Sequence, residues 1–406
     1  MSIAVVNGKT CDHKHNISVR NLLINGNKII GAGYIPDEDE GELKVIDITS
    51  CMMVTNTFDF FKVPDASDIL SFTTTMQANG VCHFAFIPNP LSNPLDTPER
   101  IYACKESLGS LANQAVFIAS ATKLQQPDEL AELSLLINAG ATAIYFDRII
   151  ENDTLLKQAL MQVNAMGVPI VFGPMTNMEK NGAHLNDGPT SFKIGINGEP
   201  EANEVSNVRY VLGLLDALFN GPVHFQCVSS PDALSAIHEF KSKRPNVTVG
   251  VSPFHAMFSD EVLGAYAAEF KLNPPLRSAY SMQKLNERLP MADHFTSLHA
   301  PVVGDSQVSD FYSQSFGAQT MPYFYRLANH CFIHHDMTLD QYQTCLASPQ
   351  PSLAIATKGL GLNANASFIA FKTKKDTTDY AVFSEPPVPL YGGVELVMVN
   401  GKVQPK

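Results

Sequence analysis

The sequence predicts an α/β fold: a (β/α)8 TIM barrel with a small β domain built from both termini. Eight short apolar runs of strand character occupy the middle of the chain. Most of them are separated by segments whose apolar residues recur at three- and four-residue spacing, as a helix packed on a sheet requires. Both ends of the chain, in contrast, contain only strand-like runs and turn signals. Eight strand–helix alternations between two β-rich ends are typical of a barrel with an accessory β domain.

The two ends consist of short strands joined by turns. Three Asn-Gly pairs stand between apolar alternations, which is the pattern of β-hairpins. These pairs are at positions 7–8, 25–26 and 400–401. The acidic stretch 36–42 is predicted to be a solvated turn. We therefore predict that residues 1–52 and 357–406 form one β domain and that residues 53–356 form the barrel.

The eight predicted barrel strands follow one another through the middle of the chain. They are CMMVTNTFDF, GVCHFAFIP, QAVFIAS, ATAIYFD, VPIVFGP, PVHFQCVSS, VTVGVSPFH and FTSLHAP. Helical periodicity between them is clearest in DELAELSLLINAG, NDTLLKQALMQVNAMG and EVSNVRYVLGLLDALFNG. A doubly wound open sheet is the alternative fold, but no GxGxxG motif follows the first strand. In a barrel, functional residues belong at the carboxyl ends of the strands.

Composition and charge disfavour several classes of function. Of the 406 residues, 45% are hydrophobic, which is enough for a large core and argues against a disordered chain. A net charge of −12 disfavours nucleic-acid binding, because phosphates attract positive charge. No apolar run approaches the ~18–20 residues of a membrane-spanning helix, and the first residues lack a signal-peptide pattern. Seven cysteines without a CxxC pair argue against disulfides and structural zinc. We expect a cytoplasmic protein that binds neither nucleic acid nor membrane.

Five segments, together spread over essentially the whole chain, resemble the motifs of one protein family. They are GVCHFAFIPNPLSNPLDTPE, HFQCVSSPDAL, FKLNPPLRS, LHAP and KGLGLNANASFIAFK. On these segments the chain resembles the dihydroorotases of the amidohydrolase superfamily, in their longer bacterial type. The resemblance implies a barrel with a terminal β-sandwich and a role in pyrimidine biosynthesis. It also implies hydrolysis of a cyclic amide by a water molecule bound to zinc. The metal lowers the pKa of this water from about 15.7 to roughly 7.

The positions that the resemblance assigns to metal ligands and to the catalytic aspartate carry other residues here. They are Phe61, Val63, Phe146, Gly173, Cys227 and Leu298. A shift of one residue would bring Asp147 rather than Phe146 to the bridging-ligand position. Zinc takes histidine, cysteine, aspartate or glutamate, usually three or four together, and most of these residues cannot bind it. We therefore expect zinc to be absent and the family's hydrolysis to be lost.

The substrate pocket that the resemblance implies is also altered. Asp65 stands where the family has an arginine that pairs with the substrate carboxylate, and an anion there would repel it. Asn89, Asn273 and His299 remain at positions of the vestigial substrate pocket. Because PN and NPP are also turn sequences, the two asparagines have an alternative structural explanation as caps of loops.

Three functions compete. The first is a catalytically silent dihydroorotase-like protein that forms homo-oligomers and binds aspartate transcarbamoylase, since the resemblance includes degenerate copies that serve this enzyme as a scaffold. The second is a hydrolase of cyclic amides with altered metal use, or with Cys227 as nucleophile beside His255. The third is a small-molecule binding protein that uses the pocket around Asn89, Asn273 and His299.

Overall fold

The chain forms an eight-stranded parallel barrel surrounded by helices, together with a second sheet from its two ends. The computed structural model describes residues 2–11, 17–33, 43–126, 128–147, 152–266, 270–301, 311–317, 320–335, 337–351, 353, 359–372, 380–381, 388–390 and 392–404. The strands of the chain are β1 (Ser2–Cys11), β2 (Ile17–Asn25), β3 (Lys28–Ala32), β4 (Leu43–Asp47), β5 (Cys51–Thr55), β6 (Phe58–Lys62), β7 (His83–Ile87), β8 (Ala115–Ser120), β9 (Ala143–Phe146), β10 (Ile170–Phe172), β11 (Leu185–Asn186), β12 (Gly198–Glu199), β13 (Val223–Phe225), β14 (Val247–Val251), β15 (His294–Phe295), β16 (Phe368–Lys372), β17 (Tyr380–Ala381), β18 (Val388–Pro389), β19 (Val394–Val399) and β20 (Lys402–Val403).

The barrel strands lie in the order β6-β7-β8-β9-β10-β13-β14-β15, all parallel. Each of the eight predicted runs contributes one of these strands, so the predicted barrel is confirmed. Side chains complete the contact between the last strand and the first. The imidazole of His294 donates from Nε2 to the carbonyl oxygen of Phe58 at 3.1 Å. The buried carboxylate of Asp59 accepts from Thr296 Oγ1 at 2.8 Å and from the Ser297 amide at 2.9 Å. Burial raises the pKa of Asp59 to about 6.

Helices pack around the barrel where apolar residues recur at helical spacing. They are α1 (Ile69–Ala78), α2 (Pro98–Leu108), α3 (Leu133–Asn138), α4 (Asp153–Met166), α5 (Met178–Asn181), α6 (Pro189–Ile194), α7 (Glu201–Leu218), α8 (Pro231–Lys241), α9 (Pro253–Met257), α10 (Ala279–Arg288), α11 (Met321–His334) and α12 (Leu339–Leu346). Helix α4 begins after Asn152, whose side chain accepts from the amides of Thr154 and Leu155, and ends at Gly167 in the left-handed conformation. The first predicted helix is shorter than its pattern, because residues 128–132 pair with the loop after β8 instead.

The second sheet joins both ends of the chain in the order β20-β19-β16-β5-β1-β2-β3, with β4 paired to β1. The Asn-Gly pairs at 25–26 and 400–401 turn between β2 and β3 and between β19 and β20, as predicted. The pair at 7–8 instead forms a bulge inside β1. Asn7 there donates from its side chain to Asp47 and from its backbone to Asn21, which holds the bulge in the sheet. The acidic stretch 36–42 lies outside the described residues.

Strand β5 belongs wholly to this second sheet and crosses the predicted domain boundary after residue 52. The barrel begins with the next strand, β6. The domain boundaries themselves remain a prediction.

Candidate functional site

A cleft opens at the carboxyl ends of the barrel strands, where function is expected in this fold. Its volume is about 720 Å³, which includes the space that is open to solvent. Its lining residues are Phe60, Lys62, Ile87, Tyr145, Asp147, Pro174, Thr176, Asn177, Gln226, Asn273, Leu298, His299, Ala300, Phe316 and Gly317. The cleft therefore combines one lysine and several side-chain amides with aromatic and aliphatic walls.

The pleat of β6 decides which of its side chains reach the cleft. Successive side chains of a strand point to opposite faces, and in β6 the cleft-facing residues are Phe60 and Lys62. Phe61 and Val63, which the resemblance aligned with the two histidine ligands, are fully buried in the core between the barrel and the helices. The ring of Phe61 packs against Phe72 with centroids 5.4 Å apart. The structure therefore places these two residues outside the site.

The fourth strand shows the same alternation. Tyr145 and Asp147 line the cleft, whereas Phe146 lies in the outer core with its ring 5.3 Å from that of Phe172. Of the two alternatives for the bridging-ligand position, the structure brings Asp147 to the cleft. Gly173, at the end of the fifth strand, lies directly beneath Tyr145: a Cβ at this position would overlap the tyrosine hydroxyl and come within 2.9 Å of its Cζ. Tyr145 thus fills the space that a ligand side chain at position 173 would need.

The sixth strand presents Gln226 to the cleft, and its side-chain oxygen accepts from the Tyr145 hydroxyl at 2.9 Å. Cys227 is fully buried, and its Sγ lies 4.0 Å from His255 Nδ1. Burial, and secondarily the charge of Glu204, raises the pKa of the Cys227 thiol well above its usual value. Burial also lowers the pKa of His255 to about 4, and its Nε2 donates to the Pro274 carbonyl at 2.8 Å. Both shifts oppose the thiolate–imidazolium pair that a cysteine nucleophile needs.

Leu298 and His299 reach the cleft after the eighth strand. Leu298 has a φ of 54°, in the left-handed region, where leucine is strained and aspartate or asparagine more often occurs. His299 stacks on Phe72 with ring centroids 6.1 Å apart, and burial lowers its pKa to about 4. Its Nδ1 accepts from the Met321 amide at 3.4 Å, so the neutral ring carries its proton on Nε2.

The motif FKLNPPLR contributes one residue to the cleft and another to a buried ion pair. Asn273 lines the cleft and accepts through Oδ1 from Thr176 Oγ1 at 2.7 Å. Four residues later, the guanidinium of Arg277 is 1% exposed and forms an ion pair with the fully buried Glu204 at 2.8 Å. Arg277 also donates to Ser229 Oγ at 2.9 Å. The most family-like segment of the chain therefore holds a structural ion pair as well as a residue of the cleft.

The other two residues assigned to a vestigial substrate pocket are not among the lining residues of the cleft. Asn89 is buried, donates to the Val63 carbonyl at 3.2 Å, and accepts from the Leu91 amide at 3.2 Å. Asp65 is exposed, and its carbonyl accepts the amides of Asp68 and Ile69 in the turn that begins α1. Both therefore contribute to loops, which for Asn89 is the structural explanation that its PN sequence allows.

A zinc centre of the family type does not fit the residues that face the cleft. Among them, the donors that zinc accepts are Asp147 and His299, while the ends of the first and sixth strands present Phe60, Lys62 and Gln226. Within the part of the chain that the structure describes, no three histidine, cysteine, aspartate or glutamate side chains are grouped as a metal would require. An ammonium group beside such a centre would also oppose the metal's charge.

Several residues of the cleft were not identified from the sequence: Lys62, Tyr145, Thr176 and Gln226. A signal for one of them exists, since Lys62, like Phe60, shares the strand parity of Phe58, which lies inside the barrel. This signal can be used only when it is known which alternate side chains of the strand face the inside of the barrel.

Comparison with known proteins supports the resemblance. No family model matches the chain. It is 28% identical to a dihydroorotase of Thermus aquaticus over 310 residues, which cover 72% of each protein. It is 27% identical to a dihydroorotase of Wolbachia sp. subsp. Drosophila simulans over 326 residues, covering 78% of this chain and 73% of the relative.

Solved structures show the same fold. An L-hydantoinase (dihydropyrimidinase) from Arthrobacter aurescens matches with a TM-score of 0.75 at 16% identity, over 99% of this chain and 95% of that one. A D-hydantoinase from Thermus sp. matches with a TM-score of 0.74 at 16% identity, over 99% and 94%. Among the described residues, no helix combines the length and the hydropathy needed to cross a membrane. The chain is therefore similar in sequence to dihydroorotases and has the barrel fold of the hydantoinases.

Proposed function

We propose that this protein is a catalytically silent relative of the dihydroorotases that acts in pyrimidine biosynthesis as a structural partner of aspartate transcarbamoylase. The observation that carries the first half is the set of side chains at the barrel mouth. Phe60, Lys62 and Gln226 face the cleft from the first and sixth strands, and Tyr145 fills the space above Gly173. None of these groups binds zinc. At neutral pH, a site without zinc holds about 10⁸-fold less hydroxide than a site with zinc-bound water.

The proposed partnership rests on an intact fold. The fold matches hydantoinases over 99% of the chain, and the buried Arg277–Glu204 pair anchors the FKLNPPLR segment. A buried pair that loses one member costs several kcal/mol, so this pair helps to hold the fold together. Binding another protein is a use of the fold that needs no metal.

Exposed aromatic side chains near the barrel mouth offer anchors for such a partner. Phe192 on α6 is 91% exposed, and Tyr266 is 51% exposed, with its hydroxyl donating to the carbonyl of Ile194 at the end of the same helix. Tyr312 is 53% exposed and packs beside Phe311, which contacts Tyr266. Aromatic residues dominate the binding energy of stable interfaces, and a long-lived complex would bury about 1,200–2,000 Å² or more.

The alternative with a Cys227 nucleophile makes an opposite prediction. A thiolate activated by His255 would react with a thiol reagent at pH 6, whereas a buried thiol with a raised pKa would not. We expect Cys227 to react only after unfolding. Rapid modification in the folded protein at pH 6 would favour the hydrolase.

Two measurements test the proposal. We expect the purified protein to contain less than about a tenth of an equivalent of zinc and to show no dihydroorotate turnover; two equivalents would contradict catalytic silence.

We expect co-expression with aspartate transcarbamoylase of the same cell to give one peak in size exclusion at moderate salt. The variant Phe192→Ser together with Tyr266→Ser should weaken this co-elution, and Leu91→Ser, also at an exposed residue, should not. Separate elution at micromolar concentration, with an active and stable transcarbamoylase alone, would refute the partnership. The elution volume of the isolated chain also tests the proposed homo-oligomer.

A further inference from the structure

The whole chain contains seven Asn-Gly pairs, and each is a candidate for a spontaneous covalent change. They begin at Asn7, Asn25, Asn79, Asn181, Asn197, Asn220 and Asn400. In such a pair the backbone nitrogen of the glycine can attack Cγ of the asparagine side chain, because glycine has no Cβ to hinder the approach. The reaction needs a carboxamide group that can turn towards the backbone and a glycine amide that is not held elsewhere.

Hydrogen bonds hold at least one of these two groups in five of the pairs. In four of them Nδ2 of the asparagine donates within the protein: Asn7 to Asp47, Asn79 to Thr75, Asn181 to Glu199 and Asn197 to Asn181. In the fifth, the amide of Gly401 donates to the carbonyl oxygen of Ala366 at 2.8 Å. Such a bond must break before the nitrogen and the side chain can meet, so the fold protects these five pairs.

The pairs at Asn25 and Asn220 lack this protection. Within the described ranges, neither carboxamide group forms a hydrogen bond, and neither do the amides of Gly26 and Gly221. Both asparagines are exposed to solvent. Gly26 is exposed in the turn between β2 and β3, and Gly221 is half-buried in the loop between α7 and β13. Water therefore reaches both pairs.

We propose that Asn25 and Asn220 are sites of spontaneous deamidation in the folded protein. The glycine nitrogen forms a bond to Cγ, the bond from Cγ to Nδ2 breaks, and the proton of the glycine amide leaves with Nδ2 as ammonia. Water then opens the five-membered imide at one of its two carbonyls and leaves an aspartate or an isoaspartate. Each event adds one negative charge at neutral pH. The modification is independent of the function proposed above.

At Asn25 the change affects a contact between the two ends of the chain. A Cβ at Gly401 would come within 1.9 Å of the carbonyl oxygen of Gly26, so the two backbones are tightly packed. The next carbonyl, that of Asn27, accepts from the amide of Ala366 at 3.0 Å. An isoaspartate adds a methylene group to the main chain and lengthens this turn, and it therefore alters the packing of β2 and β3 against the carboxyl-terminal strands.

Peptide mapping by mass spectrometry tests the proposal on the full-length protein, incubated in its folded state at mildly alkaline pH. Deamidation increases the mass of a peptide by about one dalton, so all seven pairs are measured together. We expect Asn25 and Asn220 to react about tenfold faster than Asn181 and Asn400, since a hydrogen bond that must break first slows the reaction by about this factor. Asn181 is the matched comparison, because it is also exposed but its carboxamide group is held. In water labelled with heavy oxygen, each new carboxylate should contain one labelled atom.

The same chain unfolded in guanidinium chloride is the control for local sequence. Without the hydrogen bonds of the fold, all seven pairs should react at rates within about threefold of one another. Asn25→Gln and Asn220→Gln should each greatly slow the change at their own site alone, because glutamine closes a larger ring. Rates at Asn25 and Asn220 no faster than at Asn181 and Asn400 in the folded protein would overturn the proposal, as would products without the label. A tenfold difference that persisted in the unfolded chain would also overturn it.

Discussion

Replacement of Phe61 by histidine tests whether the first ligand position of the family survives as a usable site. Phe61 is fully buried, and its ring lies 5.4 Å from that of Phe72 and 6.1 Å from that of Phe84. It belongs to the core between β6 and the helices rather than to the cleft. A histidine at this position would restore the family's residue type without facing the barrel mouth.

The magnitude follows from burial. A buried phenylalanine side chain contributes about 1.5–3 kcal/mol by its removal from water, and an imidazole recovers little of this. Each ring nitrogen left without a hydrogen bond costs about 1–3 kcal/mol more, partly relieved by local adjustment. We expect Phe61→His to lower the free energy of unfolding at pH 7 by roughly 2–4 kcal/mol. The loss should grow by up to about 1.4 kcal/mol per pH unit below 6.5, since the unfolded histidine binds a proton that the buried one cannot.

Equilibrium unfolding in urea, followed by far-ultraviolet circular dichroism, measures the change. Phe61→Leu is the matched apolar control and should lower the free energy of unfolding less than Phe61→His does. Phe192→His makes the same exchange at a side chain that is 91% exposed, and it should be within about 0.5 kcal/mol of the parent. A neutral or stabilising Phe61→His variant, or one that binds stoichiometric zinc, would refute the placement of this residue in a packed core.

Four further predictions concern buried residues. Arg277→Met leaves Glu204 buried without its cation and should lower the free energy of unfolding by about 3–5 kcal/mol, whereas Arg277→Met with Glu204→Leu should recover much of this loss; a urea double-mutant cycle decides. Gly173→His should cost about 1–3 kcal/mol through overlap with Tyr145, and less in a Tyr145→Ala background; equal costs in both backgrounds would contradict the overlap. Stability should fall as the pH is lowered from 6.5 to 4, because buried histidines with a folded pKa of about 4 bind protons only after unfolding, each worth up to about 3 kcal/mol. These histidines are His83, His255, His294 and His299. Asp59, whose folded pKa is about 6, opposes this trend but is outnumbered. Since both ring nitrogens of His83 are buried without hydrogen-bond partners in the described structure, His83→Leu should raise stability by about 1 kcal/mol and reduce the pH dependence. Unchanged stability between pH 6.5 and 4 would contradict the buried neutral histidines.

The sequence by itself determined the fold. Apolar runs of strand length and helical periodicity are local properties, and eight alternations of the two leave the barrel as the architecture that buries all of them. The hairpins at residues 25–26 and 400–401 follow from Asn-Gly pairs, whose backbone preference is also local. The pair at 7–8 was predicted in the same way but forms a bulge, because Asn7 bonds to residues of two neighbouring strands.

Only the tertiary structure decided which residues face the cleft. The strand FDFFK has phenylalanines on both faces, since parallel barrel strands are buried inside and outside, so its alternation does not reveal the inward side. A shift of one residue exchanges the two faces, and for this reason Phe60 and Lys62 line the site while Phe61 and Val63 do not. Likewise, the Arg277–Glu204 pair and the bond from Tyr145 to Gln226 join residues 73 and 81 positions apart. No local pattern encodes such contacts, because they form only when the strand ends converge at the mouth of the barrel.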